Sequence, residues 1–429
     1  MDLSDNLVDT SFNIISDNVD VSFNEVIVEN IDVSLNEVSI ENTDVSLCEV
    51  EYPPAKKEMT FEESIIFEVE TVFNDNPNII TSPTYMKDMY TYLYNNYSLF
   101  MDIPEDFEIT LSRILIDHGY IRSYETSYNT DTSIVLKDHI EYLTNIPQPA
   151  QRTPEWYEFR YNHITASNGW KAYSTECSKN ALIVEKCETF NVNKYKNNLS
   201  ESPMNWGHKY EPLTTALYEE KNNTIISEFG CIPHKDINFL AASPDGIVTG
   251  DVNYGRMIEI KNVVSREITG IPKKEYYTQV QLQLEVCDLS ECDFVETKFT
   301  EYDDEEKYLS DGTFNTSSDN KRKGIISVYI KDESEYVYHY LPFSINSEEE
   351  FKEWSGNIPV IEGEVWYKYS YWKLDIYSSV LIPRCKKWFD ATLHELQVIW
   401  DIILLERLDG SFVKRKPKPR VNKCLIKSI

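Results

Sequence analysis

From about Thr60 to Asn145, apolar residues recur at i, i+3 and i+4. This spacing predicts helices over "TFEESIIFEVETVF", "PTYMKDMYTYLYNNYSLFM" and "PEDFEITLSRILIDHGY". The third opens on Pro104 and ends near Gly119, the usual punctuation of a helix. Between Thr153 and about Pro342 the period changes. Helical spacing over "PEWYEFRYNH", near Ala181 to Phe190, and over "GHKYEPLTTALYEEKN" gives way to extended runs at "IISEFGCIP", "FLAASPDGIV" and "RMIEIKNVV". A helix over "KKEYYTQVQLQLEVCD" and a strand at "DFVETKFTEY" follow. The order α-β-β-β-α-β predicts an α/β fold, a mixed sheet flanked by helices. Residues 303–323 read as a polar surface loop and Ile325 to Pro342 as a hairpin. The aromatic-rich "VWYKYSYWKL" then precedes a helix near Pro383 to Leu408.

The first 50 residues carry a different pattern. "DVSFNEVIVENI", "DVSLNEVSIENT" and "DVSLCEVEY" begin at Asp20, Asp32 and Asp44, a 12-residue repeat. So few short copies bury little surface, and an acidic disordered tail is the expectation, with an ordered cap as the alternative. The chain thus divides into repeats at 1–52, a helical accessory domain at 60–150, a mixed-sheet domain at 151–345 and a C-terminal extension at 346–429.

Length and charge narrow the function. The 429 residues, 41% of them hydrophobic, are enough for two or three domains with a sizeable core. A net charge of −31 excludes bulk polycationic binding to nucleic acid, so any such contact needs a local basic groove or a divalent cation. Eight cysteines include no C-x-x-C pair and the seven histidines lack ligand spacing, which argues against zinc or an iron–sulfur cluster. The acidic start has no apolar signal region, and no apolar run approaches a membrane span. The expectation is a soluble, intracellular chain without membrane contact. "KRKPKPR", Lys414 to Arg420, reads as a solvated basic end, a nuclear signal or a phosphate-binding tail.

Candidate chemistry gathers at "AASPDGIVTGDVNYGRMIEIKN", residues 241–262. Five E-x-K triplets occur, at Glu219, Glu259, Glu296, Glu305 and Glu350. Only Glu259 lies on an apolar strand preceded by a strand ending in Asp245-Gly246. Positions i and i+2 of a strand share a face, so Glu259 and Lys261 aim at one point. Two carboxylates with the Ile260 carbonyl offer hard oxygen donors suited to Mg²⁺, while Lys261 could orient or deprotonate water or stabilise a phosphate. A structural Asp245–Lys261 salt bridge is an equal reading of these residues alone. Upstream, Arg160, Thr165 and Ser167 stand at a helix end, where arginine, hydroxyls and free N–H groups suit a phosphate.

The motifs in order are Trp156 and Arg160, then Thr165 to Ser167, Trp206-Gly207 with Glu211, Ser243 to Gly246, Glu259-x-Lys261, and Tyr276 with Gln279 and Gln281. This order resembles the YqaJ-like viral recombinases, the lambda exonuclease type of PD-(D/E)xK nuclease, across roughly Thr153 to Tyr302. The resemblance implies a PD-(D/E)xK restriction-endonuclease-like core. It implies Asp245, Glu259 and the Ile260 carbonyl as metal ligands, for one or two Mg²⁺ or Mn²⁺ ions. Lys261 takes the place of the catalytic lysine, and Glu211 and Gln279 that of groups holding metal-bound water. Arg160, Ser167 and Ser243 match the pocket for the 5′-phosphate of a DNA end. The implied function is a Mg²⁺-dependent 5′-to-3′ exonuclease on linear double-stranded DNA, serving recombination, repair or replication of a large DNA virus in host cytoplasm or nucleus. Double-stranded DNA ends, a single-strand annealing protein and further copies of the chain are the implied partners.

Two other readings use the same residues. One is an endonuclease or structure-specific resolvase with the same Asp-Glu-Lys centre; the other is a catalytically silent DNA-end or protein-binding module. Loss of a ligand would mark the silent module, and Asp245, Glu259 and Lys261 are all present. The stripe Trp366, Tyr367, Tyr369, Tyr371 and Trp372 suits internal packing or base stacking.

Overall fold

The computed structural model describes residues 59–122, 134–191, 202–332 and 335–417. The acidic repeats, Cys48, Cys424 and the end of the basic tail lie outside them. Four helices come first: α1 (Phe61–Asp75), α2 (Tyr85–Tyr97), α3 (Phe107–Asp117) and α4 (Ile134–Asn145). Thr60 and Glu63 form a reciprocal capping box at the start of α1, and Ile65, Val69 and Phe73 line its buried face at the spacing of one turn.

The mixed-sheet region begins with α5 (Pro154–Tyr161), β1 (Ile164–Thr165), α6 (Ala166–Gly169), α7 (Glu176–Cys187) and α8 (Pro203–Asn222). Four short strands follow: β2 (Ile226–Ser227), β3 (Ile232–Pro233), β4 (Leu240–Ala242) and β5 (Gly246–Val248). Next come β6 (Met257–Asn262), α9 (Lys274–Cys287) and β7 (Glu291–Glu301). The chain ends with α10 (Glu305–Ser310), β8 (Lys323–Lys331), β9 (Glu335–Tyr340), α11 (Glu348–Gly356), β10 (Glu364–Pro383) and α12 (Lys386–Asp409).

A seven-stranded sheet runs β2-β5-β6-β7-β10-β8-β9, and β1, β4 and β3 form a separate small sheet. Only β6 and β7 pair parallel in the large sheet, and α9 is the crossover between them. The expected mixed α/β core with flanking helices is therefore present. Several elements differ from the local reading. "IISEFGCIP" and "FLAASPDGIV", each expected as one strand, are split between the two sheets. The loop at 303–323 contains α10, capped by the Asp304 side chain. The helix near Ala181 to Phe190 starts earlier, at Glu176, where Thr175 caps it.

The segment beyond residue 345 supplies β10, which lies between β7 and β8. Of its aromatic stripe, Trp372 and Tyr371 are buried, while Trp366 and Tyr367 are about half exposed. Helix α12 shares one apolar core with α1 to α4, α7 and α9; Trp388, Leu396 and Ile403 pack there with Ile65, Leu182 and Leu282. No helix among the described residues is long and apolar enough to cross a membrane.

Candidate active site

Strand β5 pairs antiparallel with β6 at Gly246–Ile258 and Ile247–Met257. Two residues further on, the same register would set Pro244 opposite Ile260, and proline has no N–H to offer the Ile260 carbonyl. The chain has left the sheet by then, since Leu240 to Ala242 pair with β1 and β3. The Asp245 side chain takes up the exposed strand edge: its Oδ2 accepts the Ile260 N–H at 2.7 Å. Gly246 is required at the turn, because a Cβ there would lie 2.3 Å from the Ile226 side chain. Local backbone chemistry thus brings Asp245 to the backbone of the Glu259-x-Lys261 strand.

Glu259 is 1% exposed and carries three donors. Lys261 Nζ and Gln279 Nε2, the latter at 2.6 Å, donate to its Oε1, and Gln283 Nε2 donates to Oε2 at 2.7 Å. The shared strand face of Glu259 and Lys261 is therefore real, and the lysine pairs with Glu259 at hydrogen-bonding distance. Gln283 was not among the expected site residues. Gln279 and Gln283 are one turn apart on α9 and share a face, whereas Gln281 of the same motif points away. Its amide donates to the Pro383 carbonyl at 2.8 Å and accepts the Cys385 N–H at 2.7 Å.

Glu211, on α8, accepts both of its contacts from Arg152, at 3.0 and 3.1 Å. Burial, then Glu259 and Glu211, push the Asp245 carboxyl well above the ordinary carboxylate range. Glu211 is raised too, by burial and by Glu259 against the pull of Arg152. Burial alone would lower Lys261, but Glu259 and Asp245 outweigh it and hold its ammonium above the ordinary lysine value. His208, in the same cleft, is pushed down to about 4 by burial and by Arg152, so it is neutral at pH 7.

The other end of the cleft is a chain of polar contacts. Trp156 Nε1 donates to Ser243 Oγ at 3.0 Å, the Arg160 guanidinium lies 4.1 Å over the Trp156 ring, and Arg160 Nη2 donates to Ser167 Oγ at 2.9 Å. The three expected phosphate-pocket residues are thus joined through Trp156. They line the same cleft, about 640 Å³, as Asp245, Glu259 and Lys261. Lys186 and Glu185, which sequence reasoning missed, line it as well.

Among the described residues, no three His, Cys, Asp or Glu side chains stand as a ready-made ligand set. The fit of a divalent cation rests instead on the donors: Asp245, Glu259 and Glu211 are crowded carboxylates whose mutual repulsion a cation would relieve, and the Ile260 carbonyl lies on the strand edge where β5 has ended.

Mixed-sheet fold, strand-edge aspartate and E-x-K strand have the arrangement expected of a PD-(D/E)xK-type core. Residues 155–293 match the family model of the YqaJ-like viral recombinase domain. Over 341 residues it is 28% identical to an uncharacterized protein of Acanthamoeba polyphaga mimivirus, covering 70% of this chain and 60% of that one. The chain thus spans less than two thirds of that relative's length. Among solved structures, the alkaline exonuclease LHK-Exo of Laribacter hongkongensis superposes with a TM-score of 0.35 and 20% identity, over 62% of this chain and 100% of that one. A phage-related exonuclease from Haemophilus somnus gives 0.29 and 12%, over 66% and 98%.

Proposed function

We propose that the chain is a Mg²⁺-dependent 5′-to-3′ exonuclease that acts on linear double-stranded DNA at 5′-phosphorylated ends. The YqaJ-like domain supports a nuclease acting on DNA. The observation that carries the finer reading is the single cleft in which the Ser243–Trp156–Arg160–Ser167 chain borders the Asp245–Glu259–Lys261 cluster. Such a cleft holds a terminal phosphate at a fixed distance from the bond to be cut.

Asp245, Glu259 and the Ile260 carbonyl would hold the ion, with Glu211 beside them. When bound, it would supply Lewis-acid stabilisation of the phosphate and lower the pKa of water. Lys261, whose ammonium is favoured by Glu259 and Asp245 in the metal-free site, stabilises negative charge on the phosphate as a cation. Gln279 and Gln283 fix the Glu259 carboxylate from α9. Arg160, with Ser167 and Ser243, grips the 5′-phosphate. Water oxygen attacks phosphorus, the bond to the 3′-oxygen of the terminal nucleotide breaks, and that oxygen takes up a proton. Each cut leaves a 5′-phosphate on the next nucleotide, the group the pocket binds.

The test compares linear duplex with and without a 5′-phosphate beside a closed circle, each with Mg²⁺, with EDTA and with Asp245→Ala. Mg²⁺-dependent loss of the phosphorylated linear DNA alone is the expected result. Cutting of the circle would replace the exonuclease reading with an endonuclease, and binding without cleavage would leave a silent DNA-binding module. A single-strand annealing partner and assembly of several copies belong to the same proposal and would be read from co-purification and solution mass.

A further inference from the structure

Helices end with unsatisfied carbonyls, and a cation placed there both pairs with them and suits the helix dipole. Helix α5 ends at Arg160 and Tyr161, and α7 ends at Lys186 and Cys187. The Arg160 carbonyl accepts Lys186 Nζ at 2.5 Å. The Tyr161 carbonyl accepts Arg407 Nη2 at 2.7 Å, and Arg407 Nε donates to the Lys186 carbonyl at 2.7 Å. Arg407 belongs to α12, more than a hundred residues beyond the family match. Its guanidinium also lies 4.5 Å over the Tyr161 ring and 5.6 Å over Trp400, which fixes its plane. One half-buried arginine therefore ties together the ends of the two helices that carry Arg160 and Lys186.

The backbone of Arg160 is held from this side and its side chain from the other, by Trp156 and Ser167. A bidentate phosphate grip depends on guanidinium placement to a fraction of an ångström, so a shift of the α5 end is felt at the pocket.

We propose that Arg407 is a positioning residue for the phosphate pocket, through which the C-terminal helix sets the preference for 5′-phosphorylated ends. This rests on the 5′-phosphate reading of the cleft. Arg407 touches no DNA in this scheme; it acts through the carbonyls of Tyr161 and Lys186.

The experiment measures kcat and KM of the full chain on 5′-phosphoryl and 5′-hydroxyl linear duplexes. Arg407→Met keeps the stem and removes the donors. It should raise KM for the phosphorylated end and lower the phosphoryl-to-hydroxyl ratio of kcat/KM by roughly fivefold to tenfold, about the value of one ordinary hydrogen bond, with kcat little changed. Arg407→Lys, which keeps the charge but cannot span both carbonyls, should give a smaller loss of the same kind and serves if the methionine variant fails to fold. Arg415→Met is the control: Arg415 latches α12 through Glu406 and Asn180 and makes no contact with α5, so it should lower stability and leave the ratio intact. A folded Arg407 variant with the wild-type ratio would overturn the inference, as would an equal loss in Arg415→Met. If wild type itself shows no preference, the 5′-phosphate reading fails first and takes the inference with it. If wild type shows the preference and Arg160→Ala removes it, that reading stands whatever Arg407 does.

Discussion

Replacing Gln283 by leucine tests the geometry of the site at a residue outside the recognised motif. Gln283 is 1% exposed, donates to Glu259 Oε2 at 2.7 Å, and reaches the Ser243 carbonyl at 3.3 Å. Leucine fills nearly the same volume, so the cavity contribution is small and the loss is that of the hydrogen bonds. A bond to a buried charged oxygen is worth about 1.5–3 kcal/mol, which sets the expected loss of stability in metal-free protein. Partners that orient a ligating carboxylate typically govern affinity or activity by about 10–100-fold, so the Mg²⁺ concentration for half-maximal rate should rise within that range. The assay is initial nucleotide release from phosphorylated linear duplex across a Mg²⁺ titration, paired with chemical denaturation in EDTA. Gln281→Leu is the comparator. It removes a buried amide that serves Pro383 and Cys385, so it should lose stability to a similar extent and leave the Mg²⁺ dependence where it was. The reasoning is refuted if Gln283→Leu keeps the wild-type Mg²⁺ response, or if Gln281→Leu shifts it equally.

Three further outcomes are expected. Asp245→Asn keeps an acceptor for the Ile260 N–H and removes one charge from a crowded cluster, so the metal-free fold should be at least as stable while activity falls about a thousandfold or more. Persistence of a Mg²⁺-induced rise in melting temperature in that variant would contradict the ligand assignment. Burial pushes Lys186 down to about 7 against the pull of Glu185, with Arg160 adding to the depression. Between that value and the ordinary lysine pKa, only the unfolded state holds the proton, so stability rises with pH across the window by at most about 1.4 kcal/mol per unit. Unfolding free energies from pH 7 to 10 should show this slope in wild type and a smaller one in Lys186→Met; identical slopes would sink the assignment. A chain ending at residue 345 lacks β10 and leaves β7 and β8 each without its shared partner, so it should be insoluble or lack a cooperative melt, read by solubility and calorimetry.

Much of the site was legible because its parts are local. The strand period puts Glu259 and Lys261 on one face, and the turn "SPDG" brings Asp245 to the same strand end within fifteen residues. Gln283 was open to the same kind of reading, since it follows Gln279 by one helical turn; the linear motif drew attention to Gln281 instead. The Arg152–Glu211 pair and the Lys186 contact had no such signal. Each joins separate segments of the chain, and the residue types involved are ordinary surface charges until the fold brings them together. Two predicted strands split for a related reason. A run of apolar residues shows that a segment is extended but not which sheet receives each half, and Pro244 ends one ladder where the chain must change sheets.

The C-terminal segment shows the same limit on a larger scale. The aromatic run suited internal packing or base stacking, and nothing local states that it forms β10 and enters the sheet between β7 and β8. The consequence reaches the site through α9. On one face of that helix Gln279 and Gln283 hold Glu259; between them Gln281 turns away and spends its buried amide on the junction of β10 and α12. Arg407 of α12 closes the second connection, to the end of α5. The matched segment, 155–293, contains the candidate site residues, while the segment beyond 345 holds in place two of the helices that carry them. A boundary drawn from shared motifs therefore marks where motifs are shared and does not mark where the folding unit ends.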